Sequence, residues 1–409
     1  MPYERKIIND PVFGFINIPK GLLYDIVRHP LLQRLTRIKQ VGLSSVVYPG
    51  AQHTRFQHSL GAFHLMSEAI TQLASKGNFI FDSEAEAVQA AILLHDIGHG
   101  PFSHVLEDTI VKGVSHEEIS LMLMERMNKE MNGQLSLAIQ IFKDEYPKRF
   151  LHQLVSGQLD MDRLDYLRRD SFYTGVTEGN IGSARIIKML DVADDRLVVE
   201  SKGIYSIENF LTARRLMYWQ VYLHKTSVAY EKMLISTLLR AKELASQGVE
   251  LFASPALRFF LYNDINPTEF YNNPDCLENF IQLDDNDIWT ALKVWSTHTD
   301  KVLSTLSTGM INRNIFKVEI SSEPISEDRK KELTLHISQQ LGITLSEANY
   351  FVSTPSIEKN MYDPADDSID IIYKDGTIKN IAEASDMLNI SLLSKKVKKY
   401  YICYQRLHR

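Results

Sequence analysis

Apolar positions along this chain recur mostly at the three- and four-residue spacing of a helix. From Lys20 to Val41, the residues Leu22, Leu23, Ile26, Leu31, Leu32, Leu35 and Ile38 follow that spacing. Pro30 divides the stretch into two helices, because proline cannot continue one. Arg55 opens a helix running to about Lys76, in which Ser59, Gly61 and Ala62 permit close packing. The alanine-rich run Ala85 to Leu94 predicts a buried helix. Ser115 and Glu118 form a capping-box pattern, which places His116 in a first helical turn. Gln153 to Arg169 reads as one charged helix, and helices continue from Ile207 to Leu244 with a core stripe of Tyr, Trp and Met. Two short apolar stretches flank Asn9-Asp10-Pro11, a turn within a hairpin. Val46 to Pro49 reads as extended before a Pro49-Gly50 turn.

The pattern changes near Asn312. Phe316 to Ile320 alternates like a strand, Asp328 to Leu341 is helical, and Tyr350 to Ser353 and Ile369 to Tyr373 read as strands. Lys374-Asp375-Gly376-Thr377 reads as a hairpin turn and Tyr400 to Tyr404 as a last strand. The expected fold is mainly α, with residues 1–311 as a helical domain and 312–409 as a smaller α+β unit, the latter a candidate for oligomer contacts.

Composition narrows the function classes. Hydrophobic residues make up 44% and charged residues 23% of 409, the balance of a globular protein. No apolar run approaches the roughly 20 residues that cross a membrane. Met1 to Asp10 is polar, without the apolar stretch of a secretory signal, so a cytoplasmic location is expected. Cys276 and Cys403 are too few and too far apart for a thiolate metal site or a disulfide framework. A net charge of -6 argues against nucleic-acid binding by the whole surface, yet a local Arg and Lys cluster could still hold an anion.

The candidate chemistry centres on His95-Asp96-Ile97-Gly98-His99-Gly100-Pro101-Phe102-Ser103-His104. Imidazole and carboxylate are the usual ligands of a divalent metal that must also hold water or substrate. At helical spacing His95 and His99 project from one face, with Gly98, Gly100 and Pro101 ending the helix. The plain alternative is a helix end that is merely histidine-rich. Downstream, Asp162, Tyr166 and Asp170 lie four apart and Arg163 borders them. The alternative there is a solvated, salt-bridged face. Together with His58, these stretches offer His58, His95, Asp96 and Asp162 as mixed nitrogen and oxygen ligands, a set suited to Mn, Fe, Mg or Ni with positions left open.

His58, then His95-Asp96, then Asp162 is the H…HD…D signature of the HD-domain phosphohydrolases. Asn9-Asp10-Pro11, Gln33-Arg34-Leu35, Ile38-Lys39-Gln40, Tyr48-Pro49-Gly50, Thr54 to Gly61, His95 to His104 and Asp162 to Tyr166 resemble the dNTP triphosphohydrolases within them. That family includes the bacterial dGTPases and the vertebrate protein joining a SAM domain to an HD domain. The resemblance covers roughly residues 5 to 235.

It implies an HD-domain helical core and hydrolysis of a dNTP to deoxynucleoside and inorganic triphosphate, with dGTP the favoured substrate. His58, His95, Asp96 and Asp162 would hold the divalent metal (Mn, Mg, Fe, Co or Ni), and a second Mg or Mn could accompany the triphosphate. His104 would be the general acid for the leaving 5′-oxygen, oriented by Glu107. His99 and His116 would bind phosphate or the second metal. Arg55, Arg163 and Arg214 would hold the triphosphate, with Arg215 a substitute for Arg214. Tyr222 would flank the nucleoside and Tyr166 the sugar, disfavouring a 2′-hydroxyl, while Gln40 and Asp170 bond the 3′-hydroxyl. The resemblance also implies a homo-oligomer, a tetramer favoured, activated by nucleotides at subunit interfaces. Lys6, Ile7, Asn9 and Gln33 match activator-site positions. Arg28 and Thr36 depart from the residues that read guanine in the vertebrate protein, which leaves another dNTP such as dATP as activator. Arg163 stands where the family usually has lysine, and Leu223 where the vertebrate protein has glutamine. No membrane partner is implied and nucleic acid is not indicated. The alternatives are another HD-domain phosphohydrolase, such as a nucleotidase or phosphodiesterase, and a nucleotide sensor without catalysis.

Overall fold

The computed structural model describes residues 5–102, 104–359, 368–386 and 397–406, the side chains of His104, Glu107, Asp108 and Lys359 excepted. The chain opens with the antiparallel hairpin of β1 (Arg5–Asp10) and β2 (Gly14–Pro19). Asp10 makes its turn: Oδ1 accepts the amides of Val12 and Phe13 at 3.0 and 2.9 Å. Strand alternation buries Ile16 and Ile18 and leaves Ile7 and Phe15 exposed on the other face.

The Lys20–Val41 stretch folds as helices Leu22–Arg28 and Pro30–Gln33 followed by a 3₁₀ turn, Arg34–Arg37. Pro30 occupies the first turn of the second helix, where a missing amide costs nothing. Gly42–Val46 is a second 3₁₀ turn, so the extended reading of Val46–Pro49 is corrected. The Pro49-Gly50 turn does form, closed by the Ala51 amide on the Tyr48 carbonyl at 2.9 Å.

The helical core follows. Helix α1 (Arg55–Ser75) starts at a capping box between Thr54 and Gln57. Helix α2 (Asp82–Leu94) stops at Leu94, before the glycines and proline that were expected to end it. Helix α3 (His116–Glu130) is capped by Ser115 and Glu118 as expected, with His116 its first residue. The predicted helix Gln153–Arg169 is two. One spans Arg149–Val155, and α4 (Met161–Thr174) begins afresh where Asp160 accepts the Arg163 amide at 2.6 Å. An N-cap aspartate inside a charged run masked that boundary. After strands β3 (Leu190–Ala193) and β4 (Arg196–Glu200), helices α5 (Ile204–Met217) and α6 (Lys225–Ser246) flank a single π-helical turn, Tyr218–Tyr222.

Shorter helices lead to β5 (Lys317–Ser321), α7 (Glu327–Leu341), β6 (Val352–Ser353), β7 (Ser356–Lys359), β8 (Asp370–Ile372), β9 (Ile378–Asn380) and β10 (Val397–Tyr404). Strand β10 pairs with β5, β6 and β7. A second sheet runs β3-β4-β8-β9, with β8 parallel to β4, so Ile371 lies beside Val199. The fold is mainly α with a smaller sheet-containing region, and one of its sheets joins the C-terminal region to the strands that precede α5. Among the described residues, no helix is long and apolar enough to cross a membrane.

One close approach fixes the segment after α2. Ser120 Oγ on α3 donates to the His95 carbonyl and accepts the Gly98 amide, both at 2.9 Å. A Cβ at residue 98 would overlap the His116 carbonyl and the Ser120 amide. Since these are backbone atoms, Gly98→Ala is expected to cost about 1–3 kcal/mol. The urea midpoint measures this, and an unchanged midpoint would contradict so close a contact between the two backbones.

Candidate metal centre and neighbouring wall

Three elements bring the candidate ligands together: α1 supplies His58, the end of α2 supplies His95 and Asp96, and α4 supplies Asp162. His58 Nδ1 donates to Asp165 Oδ2 at 2.6 Å, and His95 Nδ1 donates to the Ile92 carbonyl at 2.7 Å. Each imidazole therefore presents a lone pair at Nε2 when neutral. These two atoms face each other at 3.3 Å, and Asp162 Oδ1 lies 3.0 and 3.4 Å from them. Three electron-rich atoms this close need a cation between them. Ligand atoms about 2.1 Å from an ion and at right angles stand about 3.0 Å apart, so the spacing fits a metal. His58, His95 and Asp162 are thus a group able to hold one. Asp96 borders it, with Oδ1 3.4 Å from His95 Nε2 and Oδ2 3.7 Å from His58 Nε2.

The metal-free cluster is strongly polarised. Burial disfavours protonation of His58, but hydrogen bonds and charge from Asp162 and Asp165 outweigh it and raise its pKa to about 10. His95 is raised against the same burial by Asp96 and Asp162. Burial opposes ionisation of Asp162, yet its bonds to His58 and His95 hold it far below the usual carboxylate range. Asp96 is likewise held well below that range by His95, His99 and Arg55, despite burial. Arg55 Nη1 lies 2.5 Å from Asp96 Oδ2.

His99 does not share a helical face with His95, because α2 has already ended. Its Nε2 lies 3.3 Å from Asp96 Oδ1, and its ring stacks on His116 with centroids 3.9 Å apart. Burial, then the Arg55 charge, lowers its pKa to about 3, so the ring is neutral at ordinary pH. Buried Arg34 holds this segment by donating to the His99 carbonyl at 2.8 Å and to the Ile97 carbonyl at 3.4 Å. His104 and Glu107 both fall in the short helix His104–Thr109, and their side chains lie outside the described residues.

Further along α4, Asp170 accepts the Tyr222 hydroxyl at 2.7 Å and pairs with His53 Nε2 at 2.7 Å. Tyr166 meets Tyr222 edge-on, with centroids 5.9 Å apart. The Gln40 amide donates to the His53 carbonyl at 3.0 Å, which brings Gln40 to this side. Arg214 donates to Gln158 Oε1 at 3.0 Å. Arg163 bonds the Gly157 carbonyl and the Asp160 carboxylate, so its guanidinium turns back on the start of its own helix. Among the described residues, Gln40 Oε1, His99 Nδ1 and Arg214 Nε are buried without a hydrogen-bond partner. Lys6, Ile7 and Asn9 lie on β1, and Gln33 uses its side-chain amide on the Val27 carbonyl at 2.7 Å.

The HD domain model matches residues 55–170, and the HD associated region model matches 181–253. The matched span therefore contains all four candidate ligands. A crystal structure of a phosphohydrolase from Bacteroides thetaiotaomicron VPI-5482 is 96% identical, with a TM-score of 0.97 over 98% of this chain and 100% of that one. A protein named deoxynucleoside triphosphate triphosphohydrolase SAMHD1 homolog, from Dictyostelium discoideum, is 30% identical over 77% of this chain. The chain belongs to the HD-domain phosphohydrolases. An uncharacterized protein of Bacillus subtilis strain 168 is 28% identical over 98% of this chain and 93% of its own length. The chain spans only 60% of the Dictyostelium relative.

Several residues that organise this HD-domain site received no role from the sequence. Asp165 orients His58, and Arg169 holds Asp165 through bonds of 2.9 and 3.0 Å. Their four-residue spacing on α4 was a usable signal. Arg34, though within the Gln33-Arg34-Leu35 match, and His53 act across long sequence separations, which local spacing does not reveal.

Three outcomes follow from the ligand geometry. Metal must displace the proton that His58 holds below pH about 10, so affinity should rise with pH below that value. Calorimetry at pH 8 in buffers of different ionisation heat should report release of about one proton per ion, and zero release would contradict this arrangement. In metal-free protein the same raised pKa favours the fold below the unfolded value of 6.5, a contribution lost as pH rises to about 10. Asp165→Asn should weaken metal binding about 10- to 100-fold, measured by equilibrium dialysis, and an unaltered affinity would show that Asp165 does not tune His58 as a ligand.

Proposed function

We propose that this HD-domain phosphohydrolase is a metal-dependent dNTP triphosphohydrolase, converting dNTP and water to deoxynucleoside and inorganic triphosphate. The observation that carries this reading is the four-residue series on α4. Asp162 stands in the ligand cluster, Tyr166 one turn on, and Asp170, bonded to Tyr222, one turn further. Successive turns are about 5.4 Å apart, so one rigid helix joins a hydrolytic centre to an aromatic and carboxylate wall at nucleoside distance. The relative named for dNTP hydrolysis supports the same reading.

His58, His95, Asp96 and Asp162 would hold a divalent ion (Mn, Mg, Fe, Co or Ni), which when bound would supply Lewis acidity toward water and a phosphate oxygen. The protein's own groups do the rest. Arg55 and Arg214 neutralise phosphate oxygens, and neutral His99 can donate a hydrogen bond to one, beside His116. Arg163 joins them on leaving Asp160. His104, oriented by Glu107, gives its proton to the departing 5′-oxygen. Asp170 keeps lone pairs beyond those used by His53 and Tyr222, enough to accept a 3′-hydroxyl with Gln40. The Tyr166 ring, placed against the sugar, would disfavour a 2′-hydroxyl. A preference for dGTP, a tetrameric assembly and activation by a dNTP such as dATP near Lys6, Ile7, Asn9 and Gln33 belong to this reading through family resemblance.

A panel of the four dNTPs, singly and in pairs, with Mg, Mn and Co tests it. The expected product is intact triphosphate, and turnover in His95→Ala or Asp96→Ala protein should fall to background. Release of orthophosphate or pyrophosphate instead would reassign the chain to a different HD-domain reaction.

A further inference from the structure

We propose that the N-terminal hairpin is a positioning element for the metal centre, acting on His58 through Asp10, Arg169 and Asp165. The proposal rests on His58 being a metal ligand.

Arg169 is fully buried and grips two carboxylates at once. Toward the hairpin, its Nη1 lies 2.7 Å from Asp10 Oδ2 and its Nη2 3.3 Å from Asp10 Oδ1. Toward the centre, its Nε lies 2.9 Å from Asp165 Oδ2 and its Nη2 3.0 Å from Asp165 Oδ1. Asp165 Oδ2 then accepts His58 Nδ1 at 2.6 Å. An unbroken line of charge-assisted bonds thus runs from the hairpin turn to a ligand imidazole.

Both ends are locked. Asp10 ends β1 and closes the turn by accepting the Val12 and Phe13 amides. The Phe13 ring then lies under the guanidinium groups of Arg168 and Arg169, 4.7 and 5.6 Å from its centroid. On α1, Gly61 follows His58 by three residues, and a Cβ there would overlap Asp165 Oδ1 and Arg169 Nη2. Glycine at this position lets the ion pair lie directly against the helix that carries the ligand.

The charge arrangement gives the line a function beyond packing. Asp165 shares one guanidinium with Asp10, so it keeps negative charge to offer the His58 Nδ1 proton. A carboxylate there makes the imidazole a stronger ligand and fixes its ring. Without the Asp10 charge, Arg169 pairs wholly with Asp165 and draws that charge away from His58. Buried ion pairs contribute little to stability on balance, so stability alone is a weak reason for this one. The outer face of the hairpin, with Ile7 and Phe15, is exposed. The line therefore connects a surface element to the centre.

The test compares wild-type, Asp10→Asn and His58→Ala proteins. For Asp10→Asn the Mn²⁺ dissociation constant should rise about tenfold, and the visible ligand-field spectrum of the Co²⁺-loaded protein should shift, which a purely structural role in a folded protein would not cause. Wild-type affinity in His58→Ala would overturn the metal reading itself. Loss of binding in His58→Ala beside an unchanged constant and spectrum in Asp10→Asn would overturn only the hairpin proposal. Should Asp10→Asn fail to fold, hydrogen exchange of the wild type decides. By reciprocity, Mn²⁺ should slow exchange of the Val12 and Phe13 amides more than that of α7 amides. Equal slowing in both overturns the proposal.

Discussion

Two imidazole nitrogens with lone pairs are held face to face, and the rest of this site depends on that constraint. It arises because each Nδ1 proton is already committed, one to Asp165 and one to the Ile92 carbonyl. Asp162 adds a carboxylate oxygen to the same point. Left in an apolar interior, such a cluster repels itself. It persists with a proton between its members, or with a metal in the proton's place.

Meeting that constraint shapes the packing. Helices α1 and α4 must lie close enough for His58 to reach both Asp162 and Asp165, and Gly61 allows it. The segment after α2 must turn at once, so that Asp96 and His99 face the cluster while the backbone is satisfied. Arg34 and Ser120 do this from two other elements by bonding the carbonyls of His95, Ile97 and His99. The same α4 that delivers Asp162 carries Asp170, whose carboxylate is fixed by His53 and Tyr222. The family relationship to HD-domain phosphohydrolases is thus expressed in a few long-range contacts.

Much of the fold was legible from spacing. The start of α1 at Arg55, the capped start of α3, the hairpin at Asn9-Asp10-Pro11 and the strand that follows Phe316 all appear where their local chemistry placed them. The misses have local causes. Asp160 acts as an N-cap within a charged run, so two helices read as one. Glycine and proline after α2 invited a later end than Leu94, because the cost of the turn is met by Arg34 and Ser120 rather than by the turn's own residues. The run Val46 to Pro49 is too short for its apolar residues to tell strand from 3₁₀ turn.

The chain alone determined which residue types could bind a divalent metal and how those on one helix are phased, because helical phase depends on local backbone geometry. His58, His95, Asp96 and Asp162 were named on those grounds. Only the tertiary structure decided which nitrogen of each histidine is offered, that His99 stacks on His116, that Arg163 turns back to Asp160, and that Asp10 reaches the centre through Arg169. Each of these turns on a partner distant in sequence or on a rotamer chosen among near-equal options. Such choices are made by packing and by the need to satisfy every buried charge, and neither is encoded in local spacing.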